Sequence, residues 1–268
     1  MKSDSCGSHV TEVPSIPYSI KSTMDMNTLA MLPLWYVAFL FSLTCHEAAH
    51  ALVAKWGGDP TAYQAGQVTL NPIPHMRREP WGTILVPLLS YFLGRGGGLI
   101  GWGSAPYDPY WEQRYPRRAA WMALAGPVAN MILVLSSAAV VQLGLVTGFF
   151  RGLPEVSFTS LVEGSRGAIE GSLRQDLSAG TATFLSILFS LNILLALFNL
   201  IPVPPLDGNT AIGLILPEKL NDRFREFTRQ PMFLMFGVLL AWYAIDPIFR
   251  PVWRGLVLLM IYPRELVH

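Results

Sequence analysis

Residues 42–56 read SLTCHEAAHALVAKW and place two histidines and a glutamate within an otherwise apolar segment. These side chains, His46, Glu47 and His50, form an H-E-x-x-H pattern, and Glu47 is the only formally charged residue in residues 29–54. A segment of that length can cross a hydrocarbon core about 30 Å thick, which takes roughly 20 helical residues. We therefore predict a transmembrane helix whose ionisable groups have a function, since such groups are costly in a membrane.

The composition of the whole chain also indicates a membrane protein. Hydrophobic residues make up 51% of the 268 residues and charged residues only 14%, whereas soluble domains usually carry about 25% charged residues. A net charge of +1 predicts no nucleic-acid partner, because such partners are bound by strongly basic surfaces. The two cysteines cannot form a disulfide framework, since Cys45 lies in the apolar segment and Cys6 in a polar tail.

Other apolar stretches complete the predicted fold. Residues 119–150 and 177–206 carry no formal charge and are long enough to span a membrane. Residues 231–262 are interrupted by charges and prolines and predict two short helices or one kinked helix, while the shorter run 81–94 favours a re-entrant or tilted segment. The sequence thus predicts an all-α polytopic membrane protein with a core of three transmembrane helices, a re-entrant or short-strand region and extra C-terminal helices.

The chain is expected to divide into three parts. Residues 1–28 are predicted to be a flexible polar tail and residues 29–217 the membrane-embedded core. Residues 218–268 are predicted to be a cytoplasmic basic linker followed by C-terminal membrane helices. Two stretches rich in Gly, Pro and aromatic residues, 61–76 and 101–116, are poor helix formers and are expected to supply short strands or edge segments.

Basic residues predict the orientation of the spans. Lysines and arginines cluster after the first span, before the second and after the third, whereas residues 151–176 carry mixed charge. The positive-inside rule places the three basic clusters in the cytoplasm and the mixed loop outside. The small size and the lack of targeting features favour a prokaryotic inner membrane, with residues 46–50 nearer its cytoplasmic face.

The H-E-x-x-H pattern predicts a metal site. On an α-helix, residues four apart lie on one face, so His46 and His50 can both reach one Zn²⁺. Glu47, beside the first ligand, is placed to act as a general base on a water that the metal activates. A chance match is the alternative interpretation, but it is weaker inside an apolar span than in a soluble protein.

Asp207 is the best candidate for a third ligand. Zinc hydrolases usually use three protein ligands and leave the fourth position open. Asp207 ends a long uncharged stretch in FNLIPVPPLDGNTAIG, where three prolines are expected to unwind the helix. An irregular segment at membrane depth persists only where it lines a cavity or is buried in protein. The alternative interpretation is an interfacial aspartate in a common Asp-Gly turn.

The paired motifs resemble those of the site-2 protease family of intramembrane zinc metalloproteases. HEAAH occupies residues 46–50 and NLIPVPPLDG residues 199–208, and between them ALAGPVAN, residues 123–130, is similar to the small-residue core helix of that family. The similarity extends from about residue 29 to residue 217. It implies an endopeptidase that cleaves transmembrane segments of membrane proteins in regulated intramembrane proteolysis, with one Zn²⁺ per chain.

Carried over position by position, the resemblance implies a role for each motif residue. His46, His50 and Asp207 would be the metal ligands, and Glu47 the catalytic base. Asn199 matches an asparagine that helps to hold the substrate or the developing oxyanion, and an interhelical hydrogen bond is its alternative role.

Three other positions are interpreted as structural. Asn130 matches the asparagine of the G-P-x-x-N pattern, with Gly126 letting helices approach closely. The stretch TLNPIPH also resembles relatives, but Met76 and two arginines follow it where an acid is common. This departure puts a role for His75 in doubt, and we interpret it as a loop histidine.

The implied partners are a transmembrane protein substrate, the lipid bilayer and a regulatory membrane partner. The alternative is a non-proteolytic membrane protein of the same fold, acting as an adaptor or a metal transporter. A transporter would not need Glu47 between two ligands. An inactive relative would be expected to have lost one of the four key residues, and all four are present.

Overall fold

The computed structural model of the protein describes residues 26–164 and 173–262. Most of these residues are helical, and a small antiparallel sheet of two strands is the other regular structure described. In chain order the elements are α1 (Met26–Gly57), α2 (Thr61–Gln64), α3 (Pro72–Arg78), a π-helical turn (Trp81–Leu85), α4 (Val86–Leu93), α5 (Pro109–Arg114), α6 (Pro116–Val146), β1 (Phe150–Ser157), β2 (Ser160–Gly164), α7 (Leu173–Asn199), α8 (Gly208–Ala211), a 3₁₀ turn (Ile212–Leu214), α9 (Glu218–Thr228) and α10 (Pro231–Met260).

Three of these helices, α1, α6 and α7, are long and apolar enough to cross a membrane. They overlap the three long apolar stretches of the sequence, 29–54, 119–150 and 177–206, so the predicted core of three transmembrane helices is confirmed. The polar tail predicted for residues 1–28 lies outside the described residues as far as residue 25.

The three long helices pack against one another. Small residues make this possible on α6, where Ala119, Ala120, Ala123 and Gly126 are all buried. Side chains of this size let helix backbones approach closely where lipid supplies no hydrophobic driving force. The close approach brings the backbone of α6 next to the histidine-bearing face of α1.

Helix α7 ends just before a group of three prolines, as the sequence predicts. The helix stops at Asn199, and residues 200–207 form irregular turns before α8 begins at Gly208. Proline has no backbone N–H and clashes with the preceding turn. Isolated prolines are accommodated within α6 and α10, but three within four residues, Pro202, Pro204 and Pro205, end the helix here. Asp207 is consequently presented from irregular backbone.

The short apolar segment doubles back on itself, as expected for a re-entrant segment. After α4 the chain returns alongside it: the backbone N–H of Ile100 donates to Ser90 Oγ (2.9 Å), and the N–H of Trp102 donates to the carbonyl of Gly82 (3.1 Å). The returning chain passes so close to α1 that it requires glycine at position 101, because a Cβ there would lie 2.5 Å from Phe39 Cζ. The returning chain is thereby held against α1.

The short strands lie elsewhere than the sequence predicts. Stretches 61–76 and 101–116 form α2, α3 and α5 with irregular connections instead of strands. Asn71 and Asp108 each precede a proline and cap a helix, since their side chains accept from the N–H two residues on. An Asn or Asp cap followed by proline is a helix-start signal, which the prediction overlooked.

The strands belong to the mixed-charge loop after α6. β1 and β2 form a hairpin in which Phe150 pairs with Gly164. Leu161 is fully buried, and its N–H donates to Ser186 Oγ of α7 (2.9 Å). The C-terminal apolar region, for which two short helices or one kinked helix was predicted, is the single helix α10.

Candidate metal centre

Two histidines and one aspartate converge between α1 and the irregular segment after α7. His46 and His50 lie one turn apart on α1, so their rings project from the same face. Their Nε2 atoms are 3.0 Å apart, and Asp207 Oδ2 lies 3.1 Å from Nε2 of His46 and 3.3 Å from Nε2 of His50. Within the described residues, these are the three side chains whose ligand atoms form a potential metal site.

The second nitrogen of each ring determines where its proton lies. His46 Nδ1 is 2.6 Å from Asn130 Oδ1, and His50 Nδ1 is 2.7 Å from the backbone carbonyl of Met122. Because a carbonyl oxygen can only accept, each ring carries its proton on Nδ1 and donates it. When the rings are neutral, as metal binding requires, both Nε2 atoms therefore direct lone pairs towards Asp207.

The donor set fits zinc. Asp207 Oδ2 is buried and has no hydrogen-bond partner among the described residues, so with neutral rings two nitrogen lone pairs and a carboxylate oxygen converge at one point. Neutral imidazoles and a carboxylate are ligands that zinc accepts. The triangle edges of 3.0, 3.1 and 3.3 Å approach the roughly 3.3–3.4 Å between ligands that bonds of about 2.0–2.1 Å imply in a tetrahedron. A cation would satisfy all three atoms.

Helix α6 contributes more to the site than the sequence predicts. A Cβ at Gly126 would lie 2.5 Å from His46 Nε2 and also collide with His50 Nε2, so this glycine leaves room for the two rings as well as for helix packing. Asn130 is fully buried and accepts the hydrogen bond of His46. The available signal was an asparagine in an uncharged span, where a polar side chain is costly unless it is paired.

Glu47 lies beside the histidines and faces a cavity. The residue is 5% exposed, and its side chain helps to line a cavity of about 190 Å³ together with His50 and Asp207. The opposite wall passes close to it, because a Cβ at Gly103 would lie 3.0 Å from Glu47 Oε1. The acid–base candidate and two of the ligand candidates thus share one cavity.

Residues 101–108 form the opposite wall and contain no helix or strand. Ser104 is held in place by two side chains: its Oγ donates to Glu79 Oε1 (2.6 Å), and its backbone carbonyl accepts from Arg78 Nε (3.0 Å). At the far end, the N–H of Asp108 donates to Asp59 Oδ2 (2.8 Å). These side-chain contacts, together with the backbone bond from Trp102 to Gly82 at the start of the segment, position this wall.

A polar group extends from the wall to the C-terminal part of the chain. Tyr107 and Glu112 line the cavity, and Glu112 Oε1 accepts from Arg225 Nη2 of α9 at 2.8 Å. Burial, reinforced by the neighbouring Glu112 carboxylate, raises the pKa of Tyr107 above its ordinary value, so the phenol stays protonated and can donate. Sequence reasoning did not single out these residues.

Two residues discussed from the sequence lie apart from the three ligand candidates and their cavity. Asn199 does not line the cavity, and its Nδ2 donates to the carbonyl of Leu195 (3.1 Å) on its own helix instead of to another helix. His75, predicted to lie in a loop, is a buried residue of α3 whose Nε2 is 3.1 Å from the carbonyl of Thr69. The proline at the first position of α3 starts a helix there, which the loop interpretation missed.

Comparison with known proteins gives a consistent result. The sequence profile of Peptidase family M50 matches residues 34–243. The chain is 33% identical over 190 residues to the Bacillus subtilis protein named "Putative zinc metalloprotease YwhC", an alignment that covers 70% of this chain and 72% of that protein.

Two mycobacterial relatives, each named "Putative zinc metalloprotease Rip2", are also similar. The protein of Mycolicibacterium smegmatis is 29% identical over 209 residues, which cover 78% of this chain and 66% of that protein. The protein of Mycobacterium tuberculosis is 30% identical over 174 residues, which cover 65% of this chain and 54% of that protein. The chain thus spans just under two thirds of one Rip2 protein and just over half of the other. No solved structure matches the chain significantly.

Proposed function

Because this chain belongs to peptidase family M50, the site-2 protease family, we propose that it is an intramembrane zinc endopeptidase that cleaves transmembrane segments of other membrane proteins. Its family and its three long apolar helices make it an integral membrane protein. One observation carries the proposal: the ligand atoms of His46, His50 and Asp207 converge beside a cavity that Glu47 also lines.

The three converging residues would hold one zinc ion per chain. His46 and His50 would each bind through Nε2 and Asp207 through a carboxylate oxygen, which leaves a fourth position open towards the cavity. Zinc bound there would supply Lewis-acid polarisation of the scissile carbonyl and would lower the pKa of water to about 7.

Glu47 would transfer a proton from the attacking water to the leaving amine during hydrolysis. Its carboxylate takes a proton from the attacking water as the new C–O bond forms at the scissile carbonyl. The same carboxyl then gives that proton to the amide nitrogen as the C–N bond breaks, so the amine leaves in neutral form. For Asn199 to hold the substrate or the oxyanion, its amide must exchange the bond to Leu195 for one to the substrate.

The substrate must expose a peptide bond that a helix normally hides. In an α-helix each carbonyl is engaged by the N–H four residues on and is shielded by side chains. A transmembrane segment must therefore unwind locally before it can reach Glu47. We expect substrates to carry Gly, Pro or Asn near the cleaved bond, because these residues weaken helices.

The positions of basic residues support a location of the site near the cytoplasmic face of a prokaryotic inner membrane. Lys55 follows the histidines by about one turn, and basic residues of α9 follow Asp207. Lysines and arginines are enriched in cytoplasmic loops. The proposed partners are a transmembrane substrate, the surrounding bilayer and a regulatory membrane protein that controls access.

Glu47→Gln tests the proposal. This change should leave the zinc content at about one ion per chain, since Glu47 is not a ligand. Cleavage of a reconstituted model transmembrane substrate should fall by about 10²–10⁴-fold, the usual contribution of a general acid–base residue. Zinc analysis and a gel-based cleavage assay on the same preparation would measure both.

Two results would oppose the proposal. A Glu47→Gln protein that cleaves at close to the normal rate would remove Glu47 from the mechanism. A zinc-loaded unmodified protein that cleaves no transmembrane substrate but moves zinc across a vesicle membrane would instead favour the transporter alternative.

A further inference from the structure

A continuous row of buried polar side chains connects the metal centre to α7. It runs from His46 on α1 to Asn130 on α6, then to Asn192 on α7, and returns to α1 at Ser42. Asn130, Asn192 and Ser42 are all fully buried. An amide buried in apolar surroundings is costly unless its groups are hydrogen-bonded, so this arrangement calls for an explanation beyond helix packing.

A backbone carbonyl sets the orientation of the first amide in this row. Asn192 Nδ2 lies 2.7 Å from the carbonyl oxygen of Leu188, which can only accept, so the amide must present its nitrogen there. The same Nδ2 donates to Ser42 Oγ (2.8 Å), whose own hydroxyl donates to the carbonyl of Ala38 (2.7 Å). The oxygen of the Asn192 amide is therefore left to face α6.

The orientation of the Asn192 amide determines which atom the Asn130 amide presents to His46. Asn192 Oδ1 accepts from Asn130 Nδ2 (2.8 Å), so Asn130 presents its own oxygen to His46 Nδ1 (2.6 Å). An oxygen at that position requires the ring proton to be on Nδ1. If the Asn130 amide turned over, its N–H would face Nδ1, and the ring proton would move to Nε2, the nitrogen that points at Asp207.

We propose that Asn192 is a positioning residue for the metal centre: through Asn130 it fixes the tautomer in which His46 can bind a metal through Nε2. This inference rests on the proposed zinc site and extends it to a third helix. His50 needs no such relay, because the carbonyl of Met122 contacts its Nδ1 directly. Both rings are thus oriented by a backbone carbonyl, one directly and one through two amides.

Asn130 alone could not perform this role. The two ends of an amide are nearly the same size, so its orientation is decided by its hydrogen-bond partners. Without Asn192, the Nδ2 atom of Asn130 would lose its acceptor in an apolar surrounding. The amide could then turn over and stabilise the His46 tautomer that does not bind the metal.

The test measures zinc affinity of the purified full chain by competition with a chelator. Asn192→Leu should weaken zinc binding by about 10–100-fold, the range for residues that orient metal ligands. Ser190→Ala on the same helix is the matched control: Ser190 Oγ accepts from Trp253 Nε1 (2.9 Å) and is fully buried, but it lies outside the row. We expect it to change zinc affinity less than about twofold.

A double-mutant cycle separates positioning from general destabilisation. Asn130→Leu should also weaken zinc binding, and adding Asn192→Leu to it should produce little further loss, because Asn192 acts only through Asn130. Asn192→Ala removes the same amide without added bulk and replaces Asn192→Leu if that variant does not fold. Zinc affinity unchanged in the Asn192 variants, or fully additive losses in the cycle, would overturn the inference. An unmodified chain that binds no zinc would instead overturn the proposed function.

Discussion

The two sides of the candidate catalytic cavity are built in different ways. On the metal side, His46 and His50 project from a long helix, and each ring is held at its second nitrogen by a buried acceptor. The opposite wall, residues 101–108, has no regular structure and is held by one backbone bond at Trp102 and by side-chain contacts at Ser104 and Asp108. A metal ion demands fixed ligand geometry, whereas a wall that receives a peptide chain, as we propose, would have to adjust. The comparison predicts that changes on the metal side weaken or abolish zinc binding, whereas changes in the wall leave zinc in place.

The largest effect is expected for His50→Ala, which removes one of the three ligand candidates. Zinc should fall from about one ion per chain to less than about 0.2 after dialysis, because the remaining two side chains cannot complete a three-ligand site. Metal analysis of the purified protein measures this directly. His75→Ala is the control, since His75 is also a buried histidine but lies on α3 outside the cluster. Stoichiometric zinc in the His50→Ala protein would rule out this ligand set.

Gly126→Ala should have the next largest effect on the metal side. Its new methyl group would collide with both histidine rings, which cannot move without breaking their Nδ1 hydrogen bonds. We expect zinc affinity to fall by about 100-fold, at the upper end of the effect of changes that displace metal ligands. Gly180→Ala on α7 provides the matched control, since a Cβ there meets no atom within 4 Å. Equal zinc affinity in the two variants would show that the rings have room to move.

The sequence predicted the metal side better than the wall. His46, His50 and Asp207 could be found because ionisable residues in apolar spans are conspicuous and because helical spacing and a proline break have direct geometric meaning. Their roles as ligands stay predictions, but the structure brings the three side chains together. The three long helices followed from length and hydropathy alone.

The wall could not be predicted because its contacts are distant in sequence and lack periodicity. Ser104 meets Glu79 across 25 positions, and Asp108 meets Asp59 across 49. The tautomer relay was missed for a similar reason: Asn130 and Asn192 are 62 positions apart. A single sequence shows that such an amide is expensive in a membrane but not which group accepts its hydrogen bonds.

Gly103→Ala should reduce catalysis without removing zinc, since it changes the wall at its closest approach to Glu47. The added Cβ would lie 2.9 Å from Glu47 Cγ and 3.1 Å from Cδ, so the flexible glutamate side chain must shift. Misplacing a catalytic group by about 1 Å can cost about 100-fold in rate, and we expect a loss of about 10–100-fold in kcat. Zinc content should stay at about one ion per chain. Loss of zinc in this variant would contradict the separation of the two sides.

The smallest effect is expected for Ser104→Ala, which loosens the wall without changing its shape. The variant loses the hydrogen bond from Ser104 Oγ to Glu79 and the contact of Arg78 Nε with that Oγ, but it keeps the bond from Arg78 Nε to the backbone carbonyl of residue 104. A hydrogen bond to a charged group contributes about 1.5–3 kcal/mol, and the wall keeps its other contacts. We therefore expect KM for a model substrate to rise about two- to fivefold, with kcat and zinc content nearly unchanged.

Arg78→Ala provides the counterpart, because it removes the bond from Arg78 Nε to the backbone carbonyl of residue 104, which Ser104→Ala keeps, together with the contact to Oγ. If the wall positions the substrate, its KM should rise more than that of Ser104→Ala. Steady-state kinetics on the two variants, with the zinc content of each preparation determined in parallel, makes the comparison. A fall in kcat at constant KM would mean that the wall acts on Glu47 and the reacting groups instead of on substrate binding. The wall would then act together with the metal side in the chemical step.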